Sequence, residues 1–264
     1  MAGASSTDGA VLMGDKYRSH LVGEGEKSTQ WRHGSPPTYD LVNHLFEKER
    51  TKEWPKGSLE EVVQNAIKTW EMELSHKTNL DDFKSINPTK FKFIVNGRKA
   101  LSGDETLALG SYNALLQSSL PEALQCYKAD VETFESSHEL FRSAFPRGFA
   151  WEVVSVYSGP PVIALKYRHW GHMEGPYKGH APTGEMVEFY GTAVLKVDEQ
   201  LRVEEVEIYY DPGEMMAGLL KGPLLVSKEE CKQSSADEVI DALSTLSTTT
   251  TATTPQECPF LKRE

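Results

Sequence analysis

The chain has 264 residues, 39% hydrophobic and 25% charged, values ordinary for a globular protein. That length permits one large domain or two small ones, and it buries a sizeable core without disulfides or metal. The net charge of −11 argues against a nucleic acid partner, which needs clustered Lys and Arg, and equally against an anionic membrane surface.

Cys126, Cys231 and Cys258 are odd in number and match no zinc or redox spacing, so they read as free thiols in a reducing compartment. The first residues, MAGASSTDGAVLMGDK, lack a basic start followed by an apolar run. No stretch of about 18 apolar residues occurs, so no membrane span and a cytoplasmic location are expected.

Residues 1–35 are rich in Gly, Ser and charge and read as an irregular arm with anchors at Tyr17 and Trp31. Thr38 is placed to cap a helix to about Arg50, with Leu41, Val42, Leu45 and Phe46 on one face. Ser58 begins a longer helix with Glu61 at the capping-box spacing, and Leu59, Val62, Val63, Ala66, Ile67, Trp70 and Leu74 recur at helical intervals. KFKFIVNGRKALSG predicts a strand, an Asn-Gly turn and a return. Ser102 then caps a third helix over DETLALGSYNALLQ. A fourth helix is predicted from about Pro121 to Phe145, its stripe formed by Tyr127, Val131, Phe134, His138, Phe141 and Phe145.

Beyond Gly148 the period changes. FAWEVVSVYSG, PVIALKYRHWGHM, EMVEFYGTAVLKVD and LRVEEVEIYYD are four strand-like runs, close enough in sequence to pair antiparallel. DPGEMMAGLLKG closes the domain as a short helix. Helices followed by a strand meander predict an α+β domain over 36–223, a curved antiparallel sheet wrapped around N-terminal helices with a pocket inside. Gly191 and Gly171 are where the sheet could bend. The Thr/Ser-rich stretch 224–264 reads as a flexible low-complexity tail.

GHMEGPYKGHAPTGEMVEFYG followed by KVDEQLRVEEVEIYYD resembles the signature of SnoaL-like proteins, members of the cystatin-like cone superfamily of nuclear transport factor two. The resemblance rests on Gly171, Gly175, Gly179, Pro182, Thr183, Gly184 and Asp211 and covers roughly residues 60–222. GDKYRSHL, WRHGSPPTYD, TWEMELSHK and ETFESSHELFRSAFPRGFAWEV are similar to one plant branch, the pathogen-related proteins, and extend the likeness to nearly all of 14–223. Two positions depart from the pattern: Met173 stands where the family has a His, and Tyr210 where it has a Trp. The resemblance implies a pocket of the polyketide-cyclase type and transfers no catalytic assignment.

Three histidines crowd the stretch after the second long strand. His169 and His172 lie three apart on a strand and so point to opposite faces, which argues against a shared metal with His180. The glycines run strand to strand rather than into a helix, which argues against a phosphate cradle. His138, between Phe134 and Phe141, is either a hydrogen-bonded core imidazole or a pocket acid/base. Glu205, Glu207, Tyr209 and Asp211 alternate onto one face of the last strand, either toward a pocket or toward solvent; Asp211 could instead cap the closing helix. Arg168 and Lys166 could hold an acidic ligand or pair with Glu188.

The candidate catalytic set is thus His138, His169, Glu207 and Asp211, with Trp70, Phe134, Trp151, Tyr167, Trp170 and Tyr209 as ligand-binding residues and neither metal nor cofactor. The expected activity is cofactor-independent acid/base cyclisation, isomerisation or dehydration of a small apolar, oxygenated metabolite in defence. The alternative is a non-catalytic ligand-binding or protein-interaction module, a homodimer through the outer sheet face.

Overall fold

The computed structural model describes residues 14–225. Residues 1–13, and the expected tail beyond its first two residues, lie outside them. Among the described residues there are six helices: α1 (Asp40–Glu49), α2 (Leu59–His76), α3 (Gly103–Leu109), α4 (Ser111–Leu116), α5 (Phe134–Ala144) and α6 (Pro212–Leu219). Six strands accompany them: β1 (Lys92–Val95), β2 (Leu101–Ser102), β3 (Ala150–Val156), β4 (Val162–His172), β5 (Met186–Val197) and β6 (Val203–Tyr210). The strands form one sheet in the order β2-β1-β6-β5-β4-β3.

The α+β class expected from the sequence is the class the chain has. β3 to β6 form the antiparallel meander, and bulges at Val153/Ser155 and Lys196/Val197 bend it. The β1–β2 hairpin turns at Asn96 and Gly97, both at positive φ as the turn type requires. Unexpectedly, β1 also joins the meander by pairing parallel with β6. Local periodicity carries no record of a partner so distant in sequence.

Three helices differ from expectation. The first has Tyr39 rather than Thr38 at its N-cap, with no side-chain cap bond, and Leu41 of its predicted face is exposed. The third is split at Gly110, whose φ of +86° ends α3 and starts α4. The fourth begins only at Phe134, because Thr133 and Ser136 form a reciprocal capping box that fixes an N-terminus there. The preceding residues are held by other bonds: Asn113 Nδ2 donates to the Glu132 carbonyl, and the buried Tyr127 hydroxyl donates to Asn113 Oδ1 at 2.5 Å. Val131 of the predicted stripe is exposed.

On β5 the alternation is clean. Val187, Phe189, Ala193, Leu195 and Val197 are buried, whereas Met186, Glu188, Tyr190 and Lys196 are exposed. The buried face packs on Ile67, Trp70 and Leu74 of α2, each large apolar side chain contributing roughly 1.5–3 kcal/mol. Leu59, Val62 and Ala66 of the predicted face of α2 are exposed, while on its far side Lys68 meets the rings of Tyr17 in the arm and Phe46 in α1. On the other face of the β3–β4 edge a smaller cluster joins Tyr17, Leu45, Phe46, Ala150 and Trp170.

The described part of the arm is tied down by charge. Lys77 at the end of α2 is fully buried and donates to Glu26 of the arm at 2.9 Å, to Glu73 at 3.0 Å and to the Asp82 carbonyl at 3.0 Å. Glu73 is satisfied in turn by the amides of Lys84 and Ser85 and by the Ser85 hydroxyl.

Candidate functional site

Between α2 and the buried face of the sheet lies a cavity of about 70 Å3. α2 supplies Ile67, Trp70 and Glu71; α4 supplies Tyr112, Leu115 and Leu116. Trp151, Tyr167, His169, Phe189 and Tyr210 form the sheet side, and Met215 of α6 closes one end. Larger clefts of 490, 540 and 630 Å3 are open surface grooves lined by charged residues such as Lys90, Arg32 and Arg202. The apolar cavity differs from them in holding titratable groups away from bulk water.

Glu71 is one such group. Loss of hydration drives its carboxyl pKa up to about 7, although Arg18 and Lys68 pull the other way. Burial wins because Lys68 is itself desolvated: its amine falls to about 6, with Nζ set 3.1 Å from the centroid of the Phe46 ring. Glu71 nevertheless retains partial surface accessibility, and it is the cavity that it faces. The two observations agree once that surface is read as internal.

His169 follows the same pattern. Burial lowers its pKa to about 3, against a smaller opposite pull from the main chain of Ala150, so the imidazole is neutral at physiological pH. Its Nδ1 is buried without a hydrogen-bond partner, and so is the Nε1–H of Trp70. Burial also raises the Tyr112 and Tyr167 phenols, keeping both protonated, and neither hydroxyl makes a hydrogen bond among the described residues. The Tyr210 phenol is raised for the same reason and donates to the Leu115 carbonyl at 3.0 Å. The arrangement combines one carboxyl that titrates near neutrality with a set of fixed neutral donors in an aromatic shell.

Four residues expected at a site converge on this cavity: His169, Trp70, Trp151 and Tyr167. The others go elsewhere. His138 stacks on Phe134 at 4.0 Å and bonds its Nδ1 to the Phe134 carbonyl at 2.7 Å, the core-imidazole alternative, so both stand outside the cavity lining. Trp170 points to the opposite face, where its Nε1 donates to Glu49 at 3.2 Å. Glu207 and Tyr209 lie opposite Val194 and Thr192 on the outer face of the sheet and bond to each other at 3.1 Å. The register decides this, since Val206, Ile208 and Tyr210 take the buried side. Asp211 accepts from the Gly213 amide at 2.8 Å and caps α6.

The clustered histidines separate. His169 enters the cavity, His172 pairs with Glu49 at 3.1 Å, and His180 bonds the Gly222 carbonyl at 2.7 Å. Among the described residues no group of three His, Cys, Asp or Glu side chains could hold a metal ion. Arg168 pairs with Glu188 at 2.7 Å and Glu152 at 3.2 Å, using the guanidinium that an acidic ligand would have needed.

Glu71 and Tyr112 were missed by sequence reasoning. The signal for Glu71 was present: it stands four residues after Ile67 and three before Leu74, on the apolar stripe of α2. Glu73 and Lys68, more deeply buried on the same helix, show why that signal is weak alone.

The chain is 54% identical over 212 residues to a pathogen-related protein of Hordeum vulgare, a match spanning 80% of this chain and 90% of that one. No family model matches the chain. Among solved structures, it is similar to a protein assigned as a polyketide cyclase from Acidithiobacillus ferrooxidans, at 13% identity and a TM-score of 0.38, over 64% of this chain and 100% of that one. A protein assigned as a SnoaL-like polyketide cyclase from Jannaschia sp. is 16% identical with a TM-score of 0.35, over 65% of this chain and 100% of that one. A protein with a ketosteroid isomerase-like fold from Catenulispora acidiphila is 9% identical with a TM-score of 0.35, over 60% of this chain and 93% of that one.

Proposed function

The chain belongs to the pathogen-related protein family, and we propose that it takes a small apolar, oxygenated metabolite into the cavity beside Glu71 and performs acid/base chemistry on it. The observation that carries this reading is a carboxyl with a pKa of about 7 at the wall of an aromatic cavity. A general acid/base works best when its pKa lies near the operating pH.

At neutral pH Glu71 is divided between its two protonation states. As carboxylate it takes a proton from a carbon next to a carbonyl, and as acid it returns one at another position. The Trp70 Nε1–H and the Tyr112 and Tyr167 hydroxyls are the donors available to an oxygen that gains charge in between. His169 serves as a fixed neutral partner rather than a base, since burial holds its conjugate acid far below neutrality. The products consistent with such proton relocation are those of isomerisation, cyclisation or dehydration.

A defence setting is supported by the name of the Hordeum relative. A cytoplasmic setting is supported by Cys126, whose exposed thiol pairs with no other cysteine among the described residues. No helix among the described residues is long and apolar enough to cross a membrane. A second reading, binding without turnover, is favoured by the 70 Å3 volume, which leaves a bound molecule little room to change shape.

Untargeted metabolite profiling of tissue extract incubated with the purified protein tests both. Turnover abolished by Glu71→Gln supports the acid/base reading. A metabolite that co-purifies unchanged supports binding alone, and turnover that survives Glu71→Gln sinks the assignment of Glu71.

A further inference from the structure

Resting on the pocket reading above in its binding form, since a phenol has no enolisable carbon, we infer that the occupant is a single-ring aromatic bearing an oxygen, of the size and polarity of a phenol. Three features of the cavity define this class: its volume, the chemistry of its walls and its unpaired polar atoms.

Volume sets the upper limit. An apolar cavity of about 150 Å3 admits a benzene ring, whereas this one measures about 70 Å3. One ring therefore enters only if side chains yield. Met215 and Leu116 are the ones able to do so: both are on short helices, and Met is unbranched and adaptable. The opposite side yields less, because Tyr167, His169 and Phe189 stand on β4 and β5 inside the sheet and Trp151 on a β3 hydrogen-bonded to β4. A fused second ring would have to move those strands.

The walls select an aromatic. Phe149 stacks on His169 at 4.0 Å, Phe189 lies 5.4 Å from His169, and Tyr210 lies 5.1 Å from Phe189. Trp151 and Tyr167 continue this surface at 5.6 Å. A flat ligand placed on such a tier gains offset-stacked contacts, which a branched aliphatic of equal volume does not.

The unpaired atoms require oxygen. The Trp70 indole N–H can only donate, and the Tyr167 hydroxyl at the cavity wall makes no hydrogen bond among the described residues. They come from opposite sides of the cavity, α2 and β4, beside the Glu71 carboxyl. A hydroxyl or carbonyl on the ring would satisfy what the protein leaves open, and a hydrocarbon would leave it unsatisfied.

Isothermal calorimetry with the full chain tests this, using phenol, para-hydroxybenzaldehyde, toluene, naphthol and anthrone as probes. The two oxygenated single rings should bind, toluene should bind roughly three- to tenfold more weakly than phenol, the worth of one buried hydrogen bond, and the fused-ring probes should not bind. Trp70→Phe should weaken phenol by that same factor and leave toluene unchanged. Ala193→Leu, which fills the cavity, should abolish binding and serves if the Trp70 variant does not fold. Naphthol or anthrone binding as tightly as phenol overturns the single-ring limit, and toluene binding as tightly as phenol overturns the oxygen requirement; the pocket reading survives either result. If no probe binds, the pocket reading falls with the inference.

Discussion

Tyr167 and Gly191 stand directly opposite each other on β4 and β5, and a Cβ added at Gly191 would come within 2.4 Å of the Tyr167 hydroxyl. The absence of a side chain at Gly191 is what lets this phenol lie flat against the sheet under the cavity. Gly191→Ala should force Tyr167 toward the space that a ligand would occupy, costing roughly 1–3 kcal/mol in overpacking. Urea unfolding should show the loss, and calorimetry should show weaker ligand binding. Unchanged stability together with unchanged binding would mean that the Tyr167 ring has another place to go.

Glu71 makes stability depend on pH in an unusual direction. Its carboxyl has an ordinary value of 4.5 and a folded value of about 7. Between those values the unfolded chain has released the proton and the folded chain still holds it. Stability is therefore full below pH 4.5 and declines as pH rises toward 7, by up to about 3 kcal/mol. Glu71→Gln, which mimics the protonated acid, should match the parent below pH 4.5 and exceed it above pH 7. A stability difference that does not change with pH would show that Glu71 ionises normally in the fold.

The buried Lys77 holds the arm through Glu26 and at the same time bonds Glu73 of its own helix. Replacing one member of a buried ion group strands the remaining charges, typically at about 3–5 kcal/mol. Lys77→Met should therefore destabilise far more than Lys16→Met, whose partner Glu47 is exposed to water. Chemical denaturation of the two variants side by side checks this. Similar losses from both would place little weight on the Lys77 cluster.

Much of this architecture was legible because it is periodic. Ser58 with Glu61, the Asn96–Gly97 turn and the alternation along β5 each express a local rule, and each element lies where the rule places it. The split at Gly110 and the late start of α5 were less visible, since the helical stripe continues through both and only local hydrogen bonding interrupts it. At the site, His169, Trp70, Trp151 and Tyr167 could be read as inward residues from the strand and helix periods. Glu207 could not be placed, because an alternating strand offers two faces and the choice belongs to whichever row is apolar enough to be covered. Glu71 was obscured by its neighbours: EMELSHK holds two glutamates, and only the fold separates the one that meets Lys77 from the one that meets the cavity.

Acid should unfold the protein earlier than its carboxylates alone would dictate. His169 and His76 have an ordinary value of 6.5, lowered in the fold to about 3 and about 4, in both cases chiefly by burial. His138 is lowered in the same direction and for the same reason. Around His76 the titratable or charged neighbours are His33, His138 and Arg18, and positive charge on any of them opposes a further one. The unfolded chain binds these protons near pH 6.5 and the folded chain does not, so their stability contribution is present above 6.5 and is lost as pH falls. At about pH 5 His76 and His169 should each have cost roughly 2 kcal/mol. Glu71 works the other way over part of this range, but one carboxyl is set against three imidazoles. Urea midpoints measured through the window should fall steeply in the parent and less steeply in a His76→Gln/His169→Gln double variant. A double variant with the parent's slope would mean that both imidazoles reach water in the folded protein, and that the cavity is open to solvent.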